Sequence, residues 1–437
     1  MTDTVHDIVG VGFGPANIAL AIALEELAPH LSVRFLERRV NADWQAGMLL
    51  EGSDIQNHPL RDLVTPRNPR SRYTFTSFLH ENNRLYEHLN LPLHYPLRLE
   101  YSQYIGWAAG CFRHQVEYQR EVTDIVPSAA ADGTLMHYRV RCSDRTEYLA
   151  RSVVLAPGRT PNIPEPFKSV DDARVVHLNH YLPAVERLKS AGGGCVAVIG
   201  GSQSAVEILL HASDEPALQR VVGITRNFGY RQKDTSPFSD EVYFPAFVDT
   251  FFSACPEQKE RLRRELLFTN YSAADIDVLN RLYVKQYSNR LQGKDSLTLL
   301  TCMETEACTS QPDGVVLSLR HFINGRTAEQ TADLVVLATG FLDLGTGVKR
   351  EPWPGVLKTM SPILRAERDA IDIAIDYRVR LQGAADRGAP LYLNGLCESS
   401  HGMGDAGSFS LLALRSEAIV RSVRRRLEDP AHGDMCG

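Results

Sequence analysis

The feature that most constrains this chain is a glycine turn that occurs twice. The first is Asp7-Ile-Val-Gly10-Val-Gly12-Phe-Gly14-Pro15-Ala-Asn17, near the N-terminus. The second is Cys195-Val-Ala-Val-Ile-Gly200-Gly201-Ser202-Gln203-Ser204-Ala205. Each follows a short apolar run of strand character and leads into an amphipathic helix. In that setting the glycines let the backbone approach a pyrophosphate at a helix N-terminus. One such match alone says little. Two, with a domain's length of chain between them, predict two dinucleotide sites and a redox enzyme that moves electrons between them, a flavin facing a nicotinamide.

The flanking patterns agree. His6 to Gly10 reads as a strand, Pro15 to Leu27 as a helix, and Ser32 to Glu37 as a second strand ending in an acid. Glu37 falls about 20 residues past the turn, where a carboxylate can accept adenosine ribose hydroxyls. Ala150 to Pro157 is a further buried strand, and Pro161, Pro164 and Pro166 mark a crossover linker. After the second turn, Val206 to His211 reads as helix and Val221 to Thr225 as strand, followed by Arg226 where the first unit has an acid. A cation there favours the 2′-phosphate of NADP over a bare ribose; an ordinary surface arginine is the other reading. Residues 236–292 lack glycine and are rich in Phe, Tyr, Leu and charge, the pattern of a helical insertion. Ala332 to Ala338 and Leu391 to Leu396 are late apolar strands, and Ala406 to Glu428 a C-terminal helix.

Composition narrows the class. The chain has 437 residues, enough for two or three domains, with 43% hydrophobic and 23% charged residues and a net charge of −6. No nucleic-acid partner is expected, and the basic run Arg421 to Arg426 reads as a solvated helix end. No apolar run has the length of a membrane span, and the apolar start lacks a basic leader, so the expected compartment is the cytoplasm. Eight scattered cysteines without C-x-x-C point to free thiols, with neither a disulfide framework nor a metal site.

Further motifs carry a resemblance. They are Trp44, Gln56, Asp62-Leu-Val-Thr-Pro-Arg-Asn-Pro69, Tyr73-Thr-Phe75, Leu79-His80, Ser236-Pro-Phe238, Thr269-Asn270-Tyr271-Ser272, Ala338-Thr339-Gly340 and Ser400-His401-Gly402. In this order, with the two turns, the chain resembles the flavin-dependent N-hydroxylating monooxygenases that act on L-ornithine or L-lysine in siderophore biosynthesis. The resemblance implies an α/β fold with two Rossmann-like domains and a mostly helical substrate-binding insertion. FAD is expected on 1–165 with 330–437, NADPH on 166–329, and the substrate portion at 236–292. It implies reduction of FAD by NADPH, capture of O₂ as a C4a-hydroperoxide, and attack by a neutral side-chain amine, with ornithine as first substrate. The flavin carries that chemistry, so no side chain is assigned as catalytic. A homo-oligomer, tetrameric by resemblance, is expected.

By the same resemblance Gln56 approaches the flavin, and Trp44, Thr339, Gly340 and Leu411 join Gly10, Gly12, Gly14, Pro15, Asn17 and Glu37 as cofactor residues. Gly200, Ser202, Gln203, Ser204 and Arg226 meet NADP. Arg61, Asp240, Asn270 and Ser410 are the expected substrate contacts. Alternatives stand beside several of these. Trp44 reads equally as a packing anchor, Gln56 as a polar loop residue, Asn270 as a helix N-cap and His401 as a turn residue. The chain also departs from the family pattern. Arg61 replaces a lysine, Asp240 an asparagine, Ser202 the last glycine of the NADP turn and Phe341 a tyrosine, and His401 to Ser410 is one residue longer. Arg61 with Asp240 fits either a compensated ornithine pocket or another substrate: lysine, arginine, a diamine or aspartate. Two other functions compete, a disulfide or ferredoxin reductase, which the missing C-x-x-C disfavours, and a flavin-binding redox protein without hydroxylase activity.

Overall fold

The computed structural model describes residues 4–367 and 370–428. Strands β1 (Val5–Val11), β2 (Val33–Glu37), β3 (Val116–Tyr118), β4 (Val122–Ala129), β5 (Leu135–Cys142) and β6 (Glu147–Leu155) form one sheet in the order β3-β2-β1-β6-β5-β4. Strands β1, β2, β3 and β6 run parallel, while β4 and β5 form an antiparallel meander off β6. The strand Leu391–Leu393 returns from the far end of the chain to pair with β6. The central strands are apolar throughout because both faces are covered. Ile8, Val9, Val153 and Val154 are fully buried. In β5 burial instead alternates, with Tyr138 and Val140 inward and Arg139 and Arg141 outward, as on a sheet with one wet face.

A second sheet is wholly parallel. Strands β7 (Val175–His177), β8 (Gly194–Ile199), β9 (Leu218–Ile224) and β10 (Leu297–Leu300) belong to it. So does β14 (Leu334–Leu337), which follows the antiparallel β11 (Met303–Gln311), β12 (Gly314–His321) and β13 (Thr327–Ala332) of a third sheet. The order of the second sheet is β10-β9-β8-β14-β7. The apolar run from Ala332 is therefore corrected in two ways. It splits at Asp333, and its second half lies between β8 and β7, in the second sheet rather than with the flanking 330–437 segment. An apolar strand covered on both faces carries no mark of which sheet it joins.

Five helices matter for the site: α1 (Pro15–Leu27), α2 (Arg98–Cys111), α3 (Gln203–Asp214), α4 (Ile276–Leu291) and α5 (Leu412–Glu428). Pro15 occupies the first position of α1, where its missing N–H is no loss. α3 begins at Gln203, so the second turn is shorter than the sequence suggests. Residues 236–292 are mostly helical, with Pro245–Ser253, Pro256–Glu265 and α4. α5 starts at Leu412, six residues later than expected from Ala406, because Ala406 to Leu411 forms a loop against the central cavity. α1 packs on α5, where Arg424 donates to the Leu27 carbonyl at 3.1 Å. Arg421 and Arg424 pair with Glu417 and Glu428, so the basic run is a solvated helix face.

Candidate active site

A cavity of about 1030 Å³ lies between the carboxyl ends of the two parallel sheets. That is at the top of the roughly 300–1,000 Å³ range of small-molecule sites, large enough for an extended cofactor. Both glycine turns open on it. At Gly12, φ is +82° and a side chain would meet the Ala156 carbonyl at 2.3 Å, so only glycine fits. Gly10 is packed against the Phe35 ring beneath the turn. Gly14 faces open space, and α1 starts there with no side-chain cap and no acid in its first turn. Those unpaired N–H groups suit an anionic pyrophosphate. Asn17 lies behind the turn rather than in the cavity wall. Its amide donates to the Gly12 carbonyl at 2.8 Å, and its oxygen accepts from Asn394 at 3.0 Å. Glu37 reaches the cavity from the end of β2. One oxygen accepts from Phe13 N–H at 2.7 Å and the other from Arg39 N–H at 2.9 Å, fixing an acceptor at the ribose position.

The second turn is tight at Gly200, where a side chain would strike the Ala338 carbonyl at 2.4 Å. Ser202, Gln203 and Ser204 line the cavity at the start of α3, and Ser202 makes no side-chain cap bond. Arg226 is exposed just past β9 and does not line the cavity. Lys349 shares its neighbourhood; partial enclosure, and then the Arg226 charge, lower the lysine's pKa. Thr339 does not reach the cavity either. It ties the crossover linker to the end of β14, its hydroxyl donating to the Asn162 carbonyl at 2.6 Å. Gly340 beside it does line the cavity. Leu411 is buried outside the lining, against Gly404, and its neighbour Leu412 takes the cavity position. Trp44 lines the cavity and packs edge-on against Tyr101 and Phe409 at 6.0 and 5.2 Å.

The expected substrate contacts converge on one wall. Arg61 Nη1 lies 3.7 Å from Asp240 Oδ2 and 3.5 Å from the Ser410 hydroxyl. Its guanidinium stands 6.0 Å from the Tyr243 ring centre. Ser410 in turn donates to the Asn57 oxygen at 3.3 Å. Asn270 does not cap a helix, because the N-cap of α4 is Asp275. Its amide nitrogen is buried without a partner beside Gly407 of the cavity loop, a donor awaiting an acceptor. His401 stacks on Tyr377 at 4.1 Å, away from the lining.

Several charged groups in and behind the cavity wall carry no signal in the sequence. Arg159 is enclosed and its pKa is raised, although burial alone would lower it. It donates to the Tyr271 hydroxyl at 3.1 Å and pairs with Asp343 at 2.5 Å. Tyr271 donates to Glu398 at 2.5 Å, and burial pushes the Glu398 carboxyl up to about 8. Arg415 and Asp405 form a fully buried ion pair at 2.6 Å beneath the loop. The cysteines among the described residues are free. No helix among them is long and apolar enough to cross a membrane.

Comparison with known proteins matches this architecture. The profile of the L-lysine 6-monooxygenase/L-ornithine 5-monooxygenase family matches residues 4–343. L-ornithine N(5)-monooxygenase of Pseudomonas aeruginosa is 35% identical over 98% of this chain and 95% of its own length. The enzyme of that name from Ajellomyces capsulatus is also 35% identical, over 98% and 93%. Among solved structures, Kutzneria sp. 744 ornithine N-hydroxylase with reduced FAD, NADP+ and L-ornithine superposes with a TM-score of 0.89. It is 31% identical, covering 97% of this chain and all of that one. With two turns facing one cavity and relatives matched along almost the whole length, the chain belongs to the L-lysine 6-monooxygenase/L-ornithine 5-monooxygenase family.

Proposed function

We propose that the protein hydroxylates the side-chain amine of L-ornithine, using FAD, NADPH and O₂. The Arg61–Asp240 pair on the cavity wall supports an α-amino acid as substrate, and the ornithine enzymes among the relatives support ornithine. FAD, when bound, supplies oxygen activation with electrons from NADPH. The unit around β1, β2 and β6 holds FAD through Gly12, Gly14 and Glu37, and the unit around β8, β9 and β14 holds NADPH through Ser202, Gln203, Ser204 and Arg226. This division replaces the 330 boundary with one after β14.

The chain's own residues bind and orient the amino acid. An α-amino acid is a zwitterion, and Arg61 and Asp240 present the opposite charges side by side. Arg61 holds the α-carboxylate with its planar fork, and Asp240 receives the α-ammonium. Their side chains are 30% and 43% exposed, and such a pair is worth at most about 1 kcal/mol, so substrate opens it at little cost. Asn270 offers its unpaired donor, and Ser410 steadies Arg61. Trp44, Phe409 and Tyr243 line the cavity with aromatic surface that limits water around the substrate. Arg61 with Asp240 thus keeps the charge balance of a neutral amino-acid head group, which favours ornithine over a diamine with no carboxylate for Arg61.

The test is a panel of ornithine, lysine, arginine, diamines and aspartate, scored by mass spectrometry for hydroxylamine product. Ornithine should give the dominant product; a different dominant product overturns the substrate, and no product from any overturns the hydroxylase. Arg61→Lys with Asp240→Asn should retain ornithine turnover if the pair is a compensated one. A cytoplasmic homo-oligomer belongs to the same proposal. Tyr283, Tyr287 and Leu291 expose apolar surface along α4, and light scattering reads the oligomeric state.

A further inference from the structure

Asp275 stands at the N-cap of α4 with extended backbone, where an aspartate ordinarily accepts N–H bonds from its own helix. It makes no such bond. Its carboxylate turns instead to the Gln56 amide, which donates to Oδ2. Its backbone N–H donates to the Gln203 side-chain oxygen at 2.8 Å. One residue therefore bridges a cavity-lining glutamine of the first unit and a cavity-lining glutamine of the second.

The bridge is part of a closed circuit. Gln203 donates to Glu207 at 2.9 Å. Glu207 is held by the Arg98 guanidinium at 3.0 and 2.9 Å through its two oxygens. Arg98, at the start of α2, also donates to the Asp54 carbonyl at 2.9 Å, and the Asp54 carboxylate accepts from Gln56 N–H at 2.9 Å. The circuit crosses between the two units twice, once at Gln56–Asp275 and once at Arg98–Glu207.

Its composition is costly to the fold. Arg98 pairs with Glu207 and its charge also acts on Asp54, while Lys233 is the cation that acts on Asp275. Burial first, and then the Asp275 and Glu207 charges, push Asp54 up to about 6 against the Gln56 N–H and Arg98. Burial likewise raises Asp275. A helix gives up its cap, and three acids crowd together where the two units meet beside the cavity.

We propose that this ring sets the register between flavin and nicotinamide, with Asp275 as the positioning residue that ties Gln56 to Gln203. The inference rests on the reading of the two units as FAD and NADPH sites. Hydride transfer depends steeply on the approach of the two rings, so a released register slows the transfer and leaves each cofactor's own grip intact.

The test uses holoenzyme with Asp275→Ser and Asp275→Asn. Serine is a good N-cap and keeps the helix start, but it is too short to reach Gln56; asparagine retains an oxygen for the Gln56 amide. Anaerobic rapid mixing with NADPH gives the limiting rate of flavin reduction and the apparent Kd separately, and deuterated NADPH gives the isotope effect. For Asp275→Ser the limiting rate should fall about tenfold or more, with flavin content and Kd within about twofold and a larger isotope effect. Asp275→Asn should recover most of the rate. An unchanged limiting rate, a defect confined to Kd, or equal losses in both variants would overturn the ring's role. Wild-type protein that binds no flavin, or whose flavin NADPH does not reduce, would instead overturn the reading of the sites.

Discussion

At the end of β2 the first unit places a carboxylate, Glu37, buried and bonded to two backbone N–H groups. At the matching point of the second unit, past β9, stands Arg226, exposed to solvent. The turns differ in the same sense. The first is braced from below by Asn17 and Asn394, while the second ends in Ser202 with its hydroxyl uncommitted at the cap. Two copies of one strand-turn-helix plan thus serve different ends. The first is built into the core, as suits a cofactor that stays. The second carries an exposed cation at the same point, which would suit a cofactor that comes and goes each turnover.

The largest expected effect tests the braced turn. Gly12→Val would drive a side chain into the Ala156 carbonyl and the cofactor's path, so the purified variant should be free of flavin. Retained yellow colour at full occupancy would remove the first turn from the flavin site. The second effect tests the exposed cation. A lost charge-assisted contact costs about 1.5–3 kcal/mol, so Arg226→Ala should raise the KM for NADPH about 10- to 100-fold and leave NADH nearly unchanged. Added salt should weaken NADPH binding in the parent protein more than in the variant. Equal losses for both nucleotides would make Arg226 structural.

Buried charge in the first unit gives a third test. Glu398 titrates at about 8 in the fold against 4.5 as its ordinary value. Between those values the folded chain holds a proton that the unfolded chain has released. Stability therefore falls as pH rises through the window, by up to about 1.4 kcal/mol per unit for this group. Glu398→Gln should flatten that slope in urea unfolding series from about pH 5 to about pH 8. An unchanged slope would show that Glu398 is ionised in the fold. The smallest effect belongs to Ser202→Gly, which restores the usual family residue. Stability should shift by only a few tenths of a kcal/mol, since glycine also serves as an N-cap, and the KM for NADPH should fall slightly. A rise in KM would show that the serine hydroxyl contacts the nucleotide.

What is legible in the sequence is local. The two turns, α1, the acid that ends β2 and the mostly helical 236–292 region follow from short-range pattern. The opposing charges at Arg61 and Asp240 are visible as departures from a family. Other features depend on partners far along the chain. Leu334–Leu337 joins the second sheet because β8 and β7 leave a gap for it, and nothing within the strand says so. Asn270 rather than Asp275 reads as the cap, and the diversion of Asp275 to Gln56, 219 residues away in sequence, exists only once both units are folded together. Arg98, Glu207 and Arg159 look like surface charges until packing encloses them. Leu411 and Thr339 show the reverse: the resemblance implies cofactor contacts for both, yet packing places each behind the lining.

The return of Leu391–Leu393 to β6, with α5 closing on α1, has a consequence for the order of events during synthesis. The floor beneath the first turn includes Asn394, whose amide donates to the Ala16 carbonyl and the Asn17 oxygen, and Arg415, which holds Asn394. Those groups leave the ribosome long after the turn they support. The nascent N-terminal unit must wait through the whole of the second unit before its pocket has a floor. Flavin capture is therefore expected only once that segment has emerged, and a ribosome-stalled chain ending before about residue 390 should lack it while its second parallel sheet is already complete.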